Sequence, residues 1–178
     1  MNRVLLFTGH RIDTRYRHPP RFPSTREQAV ASAIADTLSD DVQIGVCSAA
    51  NGGDILFLEA CVDRAIPCYI ILPFPPEEFI RRSVATNASG DWEARFQRAW
   101  TATPEKRRHI LSVPEGVNPY AACNDAILTL APTLGNPTVV ALWDGEVTDG
   151  SGGTADMVAK ARQRGWPVKL IDPRRVKN

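Results

Sequence analysis

Glycine and arginine, the two residue types best suited to holding an anion, recur in this sequence where apolar runs stop. Thr8-Gly9-His10-Arg11 closes the first such run. Glycine lets a backbone approach a ligand closely. The Arg11 guanidinium is a planar, permanently charged fork for phosphate or carboxylate, and His10 can donate or accept a hydrogen bond. Arg15, Arg17, His18 and Arg21 add positive charge, with Asp13 the one acid among them; a solvated basic loop is the plainer reading. A second loop, Ser48-Ala49-Ala50-Asn51-Gly52-Gly53-Asp54, leads from an apolar run into a helical pattern. A helix start of this kind offers backbone N–H groups and the positive end of the helix dipole, which hold phosphate without side-chain charge. Ser48, Asn51, Gly52, Gly53 and Asp54 are its candidate binding residues. Asp54 either caps the helix, a contribution of ~1 kcal/mol, or reaches a ribose hydroxyl. A third loop, Asp149-Gly150-Ser151-Gly152-Gly153-Thr154, repeats the design, and Thr154 can cap the next helix or offer its hydroxyl to phosphate. None of the loops has the Lys-Ser/Thr of a Walker A motif or the spacing Gly-x-Gly-x-x-Gly. A P-loop NTPase and an ordinary NAD dehydrogenase both lose ground.

The elements that would position these loops alternate as in an α/β protein. Arg3 to Thr8, Val42 to Cys47, Ile66 to Leu72, Thr138 to Trp143 and Val168 to Ile171 read as buried strands. Ser24-Thr25-Arg26-Glu27 has the spacing of a capping box and predicts a helix start. Asp54 is expected to cap a helix over Ile55 to Arg64, and Thr154 to Arg164 is a further helix. Asn118-Pro119 pairs an N-cap with proline at the first helical position, with the helix running from Tyr120 to Ala131. Strands alternating with helices across short links predict parallel pairing and right-handed crossovers. Between about residues 76 and 113 the pattern is an irregular helical insertion. It holds a short helix from Pro76 to Ala85, a helix capped by Asp91 that carries Trp92, Phe96 and Trp100, an exposed charged stretch from Thr103 to His109, and a brief strand from Ile110 to Val113. The aromatic rings of Trp92, Phe96, Trp100, Tyr120 and Trp143 are candidate ligand walls, with core packing as the alternative. The 92/96/100 stripe is also a candidate surface for self-association.

Composition narrows the function classes. At 178 residues, with 43% hydrophobic and 23% charged, the chain has the size and balance of one globular domain. With 21 basic against 20 acidic residues the net charge is +1, which gives no field drawing it to nucleic acid or an anionic membrane. No apolar run is long enough to span a bilayer, and the N-terminus has no signal-peptide core, so a cytoplasmic location is expected. The four cysteines, Cys47, Cys61, Cys68 and Cys123, form no Cys-x-x-Cys pair and read as small buried hydrophobes; no metal site is expected.

Four segments carry a family resemblance: Phe7-Thr8-Gly9-His10-Arg11; Gly52-Gly53-Asp54-Ile55-Leu56-Phe57-Leu58-Glu59-Ala60; Leu72-Pro73-Phe74 with Glu78-Phe79; and Gly152-Gly153-Thr154-Ala155-Asp156. Together they resemble the SLOG superfamily, which contains Smf/DprA and the Lonely Guy proteins, and within it the branch found beside signalling domains. The resemblance spans about residues 3 to 173. It implies a single Rossmann-like three-layer α/β domain over 1–178 with a mostly parallel sheet. It also implies a nucleotide-like small molecule as ligand, no cofactor, and self-association or a signalling effector as partner. Gly9 and Arg11 match the first ligand loop, Gly52, Gly53 and Asp54 the second, and Gly152, Gly153 and Thr154 the phosphate loop. Lonely Guy enzymes cleave a nucleoside 5′-monophosphate with a glutamate three residues after the threonine of that loop. Here that position is Met157, and Asp156 lies one residue early, about 100° round a helix. Two readings follow: a module that binds a nucleotide or nucleotide-derived signal, and an N-glycoside hydrolase using Asp54 or Asp156.

Overall fold

The computed structural model describes residues 3–147 and 150–177. The expected loop residue Asp149 and the residues Met1, Asn2, Thr148 and Asn178 lie outside them. Six strands form one sheet: β1 (Arg3–Gly9), β2 (Val42–Cys47), β3 (Cys68–Leu72), β4 (Arg108–Ile110), β5 (Asn136–Leu142) and β6 (Val168–Ile171). Their order is β4-β3-β2-β1-β5-β6, and every neighbouring pair is parallel. The chain starts at the centre, runs outwards to β4, and then returns across the sheet to β5 on the other side of β1.

The strands alternate between two buried faces, as the two-residue period of a strand requires. Leu5 and Phe7 of β1, Cys47 of β2 and Ile70 and Leu72 of β3 point to one face. Val4, Leu6, Val46 and Ile71 point to the other. The first face is covered by α1 (Glu27–Ala35), α2 (Gly53–Asp63) and α4 (Trp92–Ala102), with the Phe7 and Phe57 rings stacked 5.0 Å apart. The second is covered by α5 (Pro119–Leu134) and α6 (Thr154–Gln163). The expected α/β class, the parallel strands and the three layers are all present.

The segment read as an irregular insertion contributes to the core. A short helix α3 (Pro76–Phe79) passes into a single π-helical turn at Ile80–Val84, and Phe79, Ile80, Val84, Trp92 and Phe96 are buried. Phe96 is 0% and Trp92 2% exposed, and Trp100 packs partly buried against the same cluster, so the aromatic stripe packs into the core. Arg95 holds α4 down. Its guanidinium bonds both Glu59 oxygens at 2.8 and 2.6 Å and Glu27 at 2.6 Å, and lies 4.1 Å over the Trp92 ring.

Three local expectations need correction. Ser24 makes no capping bond: Pro23 stands at the cap, Ser24–Arg26 form a 3-10 turn, and α1 follows at Glu27. Asp54 does not precede its helix but lies in the first turn, with Gly52 at the cap. The brief strand falls at Arg108–Ile110, earlier than expected, and pairs with Ile70–Leu72. The start of α5 is as read. Asn118 Oδ1 accepts N–H bonds from Tyr120 and Ala121 at 2.9 and 3.1 Å. Asn118→Ala is expected to cost about 1 kcal/mol, measured by denaturant unfolding; an unchanged midpoint would show that the cap is dispensable.

Candidate functional site

In an open α/β sheet the loops leaving the strand ends part at the point where the strand order reverses, and a cleft opens there. In this chain that point lies between β1 and β5. A cleft of about 450 Å³ occupies it, within the ~300–1,000 Å³ range of small-molecule sites. Its lining comes from distant parts of the chain: the loop after β1, the loop before α2, the π-turn, the start of α5 and the start of α6.

Of the residues singled out in the sequence, Gly9, His10, Arg11, Ser48, Asp54, Gly152, Gly153 and Thr154 all line this cleft. Asn51, Gly52, Gly53 and Asp156 are not among its lining residues, and the structure gives each a different task. Gly52 has φ +82°, and a Cβ there would sit 2.5 Å from Ile12 N and 2.9 Å from His10 O. The Gly53 N–H donates to His10 O at 3.1 Å. This glycine pair therefore seats the start of α2 against the loop after β1. Asn51 is 1% exposed; its Nδ2 donates to Val84 O and Thr86 Oγ1 at 2.8 and 2.7 Å, and its N–H to Ser83 O at 2.9 Å. It latches the π-turn to the cleft wall. Asp156 accepts from Asn124 Nδ2 at 3.0 Å and pairs with Lys160 at 3.2 Å.

His10 is 5% exposed, and its Nε2 is set among charges: Asp144 Oδ1 at 3.0 Å, Arg21 Nη2 at 3.2 Å and the Asp144 N–H at 3.2 Å. Arg21 also pairs with Asp144, Nε to Oδ2, at 3.2 Å. Burial alone would raise the Asp144 carboxyl; the Glu146 N–H, His10 and Arg21 outweigh it and hold that group below its ordinary value. This knot ties the loop after β1 to the chain leaving β5, the two sides of the switch point.

The rim is basic. Arg11, Arg17, Arg21 and Arg82 all line the cleft. Arg17 pairs with Asp13, Arg21 with Asp144 and Arg82 with Glu78. Arg11 instead donates to a neutral carbonyl, Arg82 O, at 3.1 Å, and has no carboxylate partner among the described residues. The opposite side is the N-terminus of α6. There Gly152 (φ +90°) passes so close to α5 that a Cβ would lie 2.5 Å from Ala121 N, and Gly153 stands at the cap before Thr154.

The floor is mostly apolar, with Phe7, Cys123, Ile127 and Met157. Asp54 is set into it, 7% exposed. Its Oδ2 accepts the Ala50 N–H at 3.1 Å, and its Oδ1 meets no donor among the described residues. Burial pushes its carboxyl up to about 7, against the lowering effect of the Ala50 N–H. A wall is made by Tyr120, whose ring meets Phe74 edge-on at 5.7 Å and whose hydroxyl lies 3.3 Å from Ser83 Oγ. Of the five candidate aromatic walls, Tyr120 alone lines the cleft.

Sequence reasoning missed Arg82, Ser83 and Asn124. They stand on helical turns far along the chain from the glycine loops, and nothing in their local pattern marks them. Among the described residues no cluster of His, Cys, Asp and Glu could hold a metal ion, and no helix is long and apolar enough to cross a membrane.

The strand order, the parallel register and the cleft at the switch point define a Rossmann-like α/β domain. No family model and no curated protein matches the sequence. Among solved structures the chain is similar to DNA processing protein A (DprA) from Streptococcus pneumoniae, with 14% identity and a TM-score of 0.44, over 96% of this chain. It spans 59% of the length of that chain.

Proposed function

We propose that the cleft binds a nucleotide or nucleotide-derived ligand, with its phosphate between Arg11 and the start of α6. The observation that carries this reading is the pairing, across one cleft of about 450 Å³, of a guanidinium without a carboxylate partner and a glycine-capped helix N-terminus. Both favour an anion, and the dipole of one helix end contributes about 0.3–1 kcal/mol. The Arg11 fork adds charge-assisted hydrogen bonds. Phosphate at the rim leaves the base and sugar to the Tyr120 wall and the apolar floor. The motif order that resembles the SLOG superfamily supports the same reading.

Thermal unfolding against AMP, ADP, cyclic nucleotides and nucleotide sugars tests it. A ligand at 100 times its Kd adds ~2.7 kcal/mol, which for a chain of this length raises the midpoint by roughly 5–10 °C. Arg11→Ala should weaken that ligand about tenfold or more. No shift with any compound would overturn the reading, and a shift that survives Arg11→Ala unchanged would remove Arg11 from the phosphate site.

One observation favours the hydrolase alternative. Asp54 is an acid in the cleft floor whose carboxyl is pushed up to about 7, the range suited to a general acid. Chromatography of the same mixtures separates the two: intact nucleotide supports a binding module, and released free base supports an N-glycoside hydrolase.

A further inference from the structure

We propose that Asp54 reads the ligand as a carboxylic acid, its Oδ1 donating a hydrogen bond to a neutral acceptor atom while the phosphate stays at the arginine rim. The site would then select a ligand with two unlike ends: an anion, and a ring nitrogen, carbonyl or hydroxyl oxygen. This inference rests on the nucleotide reading above and specifies which part of the ligand meets the floor.

The geometry supports it in three ways. First, Asp54 has a single protein hydrogen bond, the Ala50 N–H on Oδ2, and no cationic partner among the described residues. A buried carboxylate left with one donor is costly, whereas the neutral acid is far less so. Second, the groups around it supply no compensating charge. From β2 comes the Cys47 thiol and from α5 the Cys123 thiol, both kept neutral by burial, the latter pushed up to about 12. From the loop after β1, His10 and Arg11 turn their side chains to Asp144 and to Arg82 O, and present backbone to the start of α2. On the far side of α2, Arg95 of α4 is taken by Glu59 and Glu27. The remaining rim cations, Arg17, Arg21 and Arg82, each have a carboxylate of their own. Third, Oδ1 belongs to a cleft-lining residue and meets no donor among the described residues, so its O–H can donate to a ligand acceptor. In this assignment the floor and the rim read different parts of the ligand, the Asp54 acid a neutral acceptor and the Arg11 guanidinium the phosphate.

Binding should weaken as pH rises, because only the protonated fraction of Asp54 is competent and the apparent Kd scales inversely with that fraction. The test is calorimetric titration of AMP between pH 7 and pH 9 into the wild type and into Asp54→Asn. In this range the phosphate, with a second pKa near ~6, keeps a nearly constant charge. The amide introduced by Asp54→Asn donates a hydrogen bond at every pH. The expected result is a wild-type Kd that rises roughly fiftyfold across the range, with a flat profile for Asp54→Asn. AMP bound with a flat wild-type profile would overturn this inference and leave the nucleotide reading standing. AMP bound by neither protein at any pH would overturn that reading for a mononucleotide, and this inference with it.

Discussion

Gly52→Ala should unfold roughly 6–12 °C below the wild type, a large loss for a single added methyl group. Two independent costs coincide at this position. With φ +82° and ψ −124° the backbone occupies a region that L side chains rarely adopt, at a cost of ~1–3 kcal/mol. The new Cβ would also stand 2.5 Å from Ile12 N and 2.9 Å from both Arg11 C and His10 O, all of them backbone atoms that cannot swing aside. Relief would require pushing the loop after β1 away from α2, which breaks the Gly53 N–H bond to His10 O. Together these costs reach about 3 kcal/mol or more. Gly145→Ala is the matched control: its φ is +86°, but no atom lies within 4 Å of the added Cβ. Thermal melts followed by circular dichroism should show a clearly smaller loss for Gly145→Ala. Equal losses in the two variants would mean that the contact between the two loops contributes nothing.

Asp54 should make the folded protein less stable as the pH rises from about 4 to about 7, and Asp54→Asn should abolish that loss. In the unfolded chain the carboxyl ionises near its ordinary value of ~3.9. In the folded protein, burial keeps it protonated to about 7. Between these values the folded state holds a proton that the unfolded state has released, so raising the pH favours unfolding. The stability contribution is fully present below about pH 4 and is lost as pH rises through about 7. The gap between the two values corresponds to at most roughly 4 kcal/mol. The side chain introduced by Asp54→Asn stays neutral and retains an oxygen for the Ala50 N–H. The two proteins should therefore be about equally stable near pH 4, and Asp54→Asn should be more stable by a few kcal/mol at pH 8. Carboxyls held low by their partners, such as Asp144 and Asp172, act with the opposite sign but equally in both proteins, so the difference between the two unfolding curves isolates Asp54. Parallel stability curves across this range would show that burial does not perturb the group.

How much of this was legible in the sequence depended on whether a residue's task was local. Asn118-Pro119 announced its helix because the cap is made within three residues, and Val42 to Cys47 and Val168 to Ile171 stood out as apolar or β-branched runs. The Ser24 signal misled because Pro23 takes the cap and a 3-10 turn intervenes before the helix. Arg108–Ile110 carried too few apolar residues to show as a strand; its place at the sheet edge is set by pairing to β3. In the candidate site, the glycine loops were visible but their tasks were not. Gly52 and Gly152 both reflect close backbone approach, as glycine implies, yet what approaches is another segment of the same chain. The roles of Asn51 and Asp144 depend on residues more than thirty positions away, so no short motif could have revealed them.

The central position of β1 has a consequence for the order in which the molecule comes together. Its register pairs Arg3 with Val42 on one side and with Asn136 on the other. The first pairing is available early in synthesis, but the second waits for a strand made near the end of the chain. Loop closure over that distance must be overcome before the contacts that reward it can form, which slows folding. Until β5 arrives, one edge of β1 stands open, and the side of the cleft formed by α6 is not yet made. A nascent chain halted before residue 136 would hold Arg11, Asp54 and the π-turn without the glycine-capped helix that faces them. The pocket is thus a product of the last stage of folding.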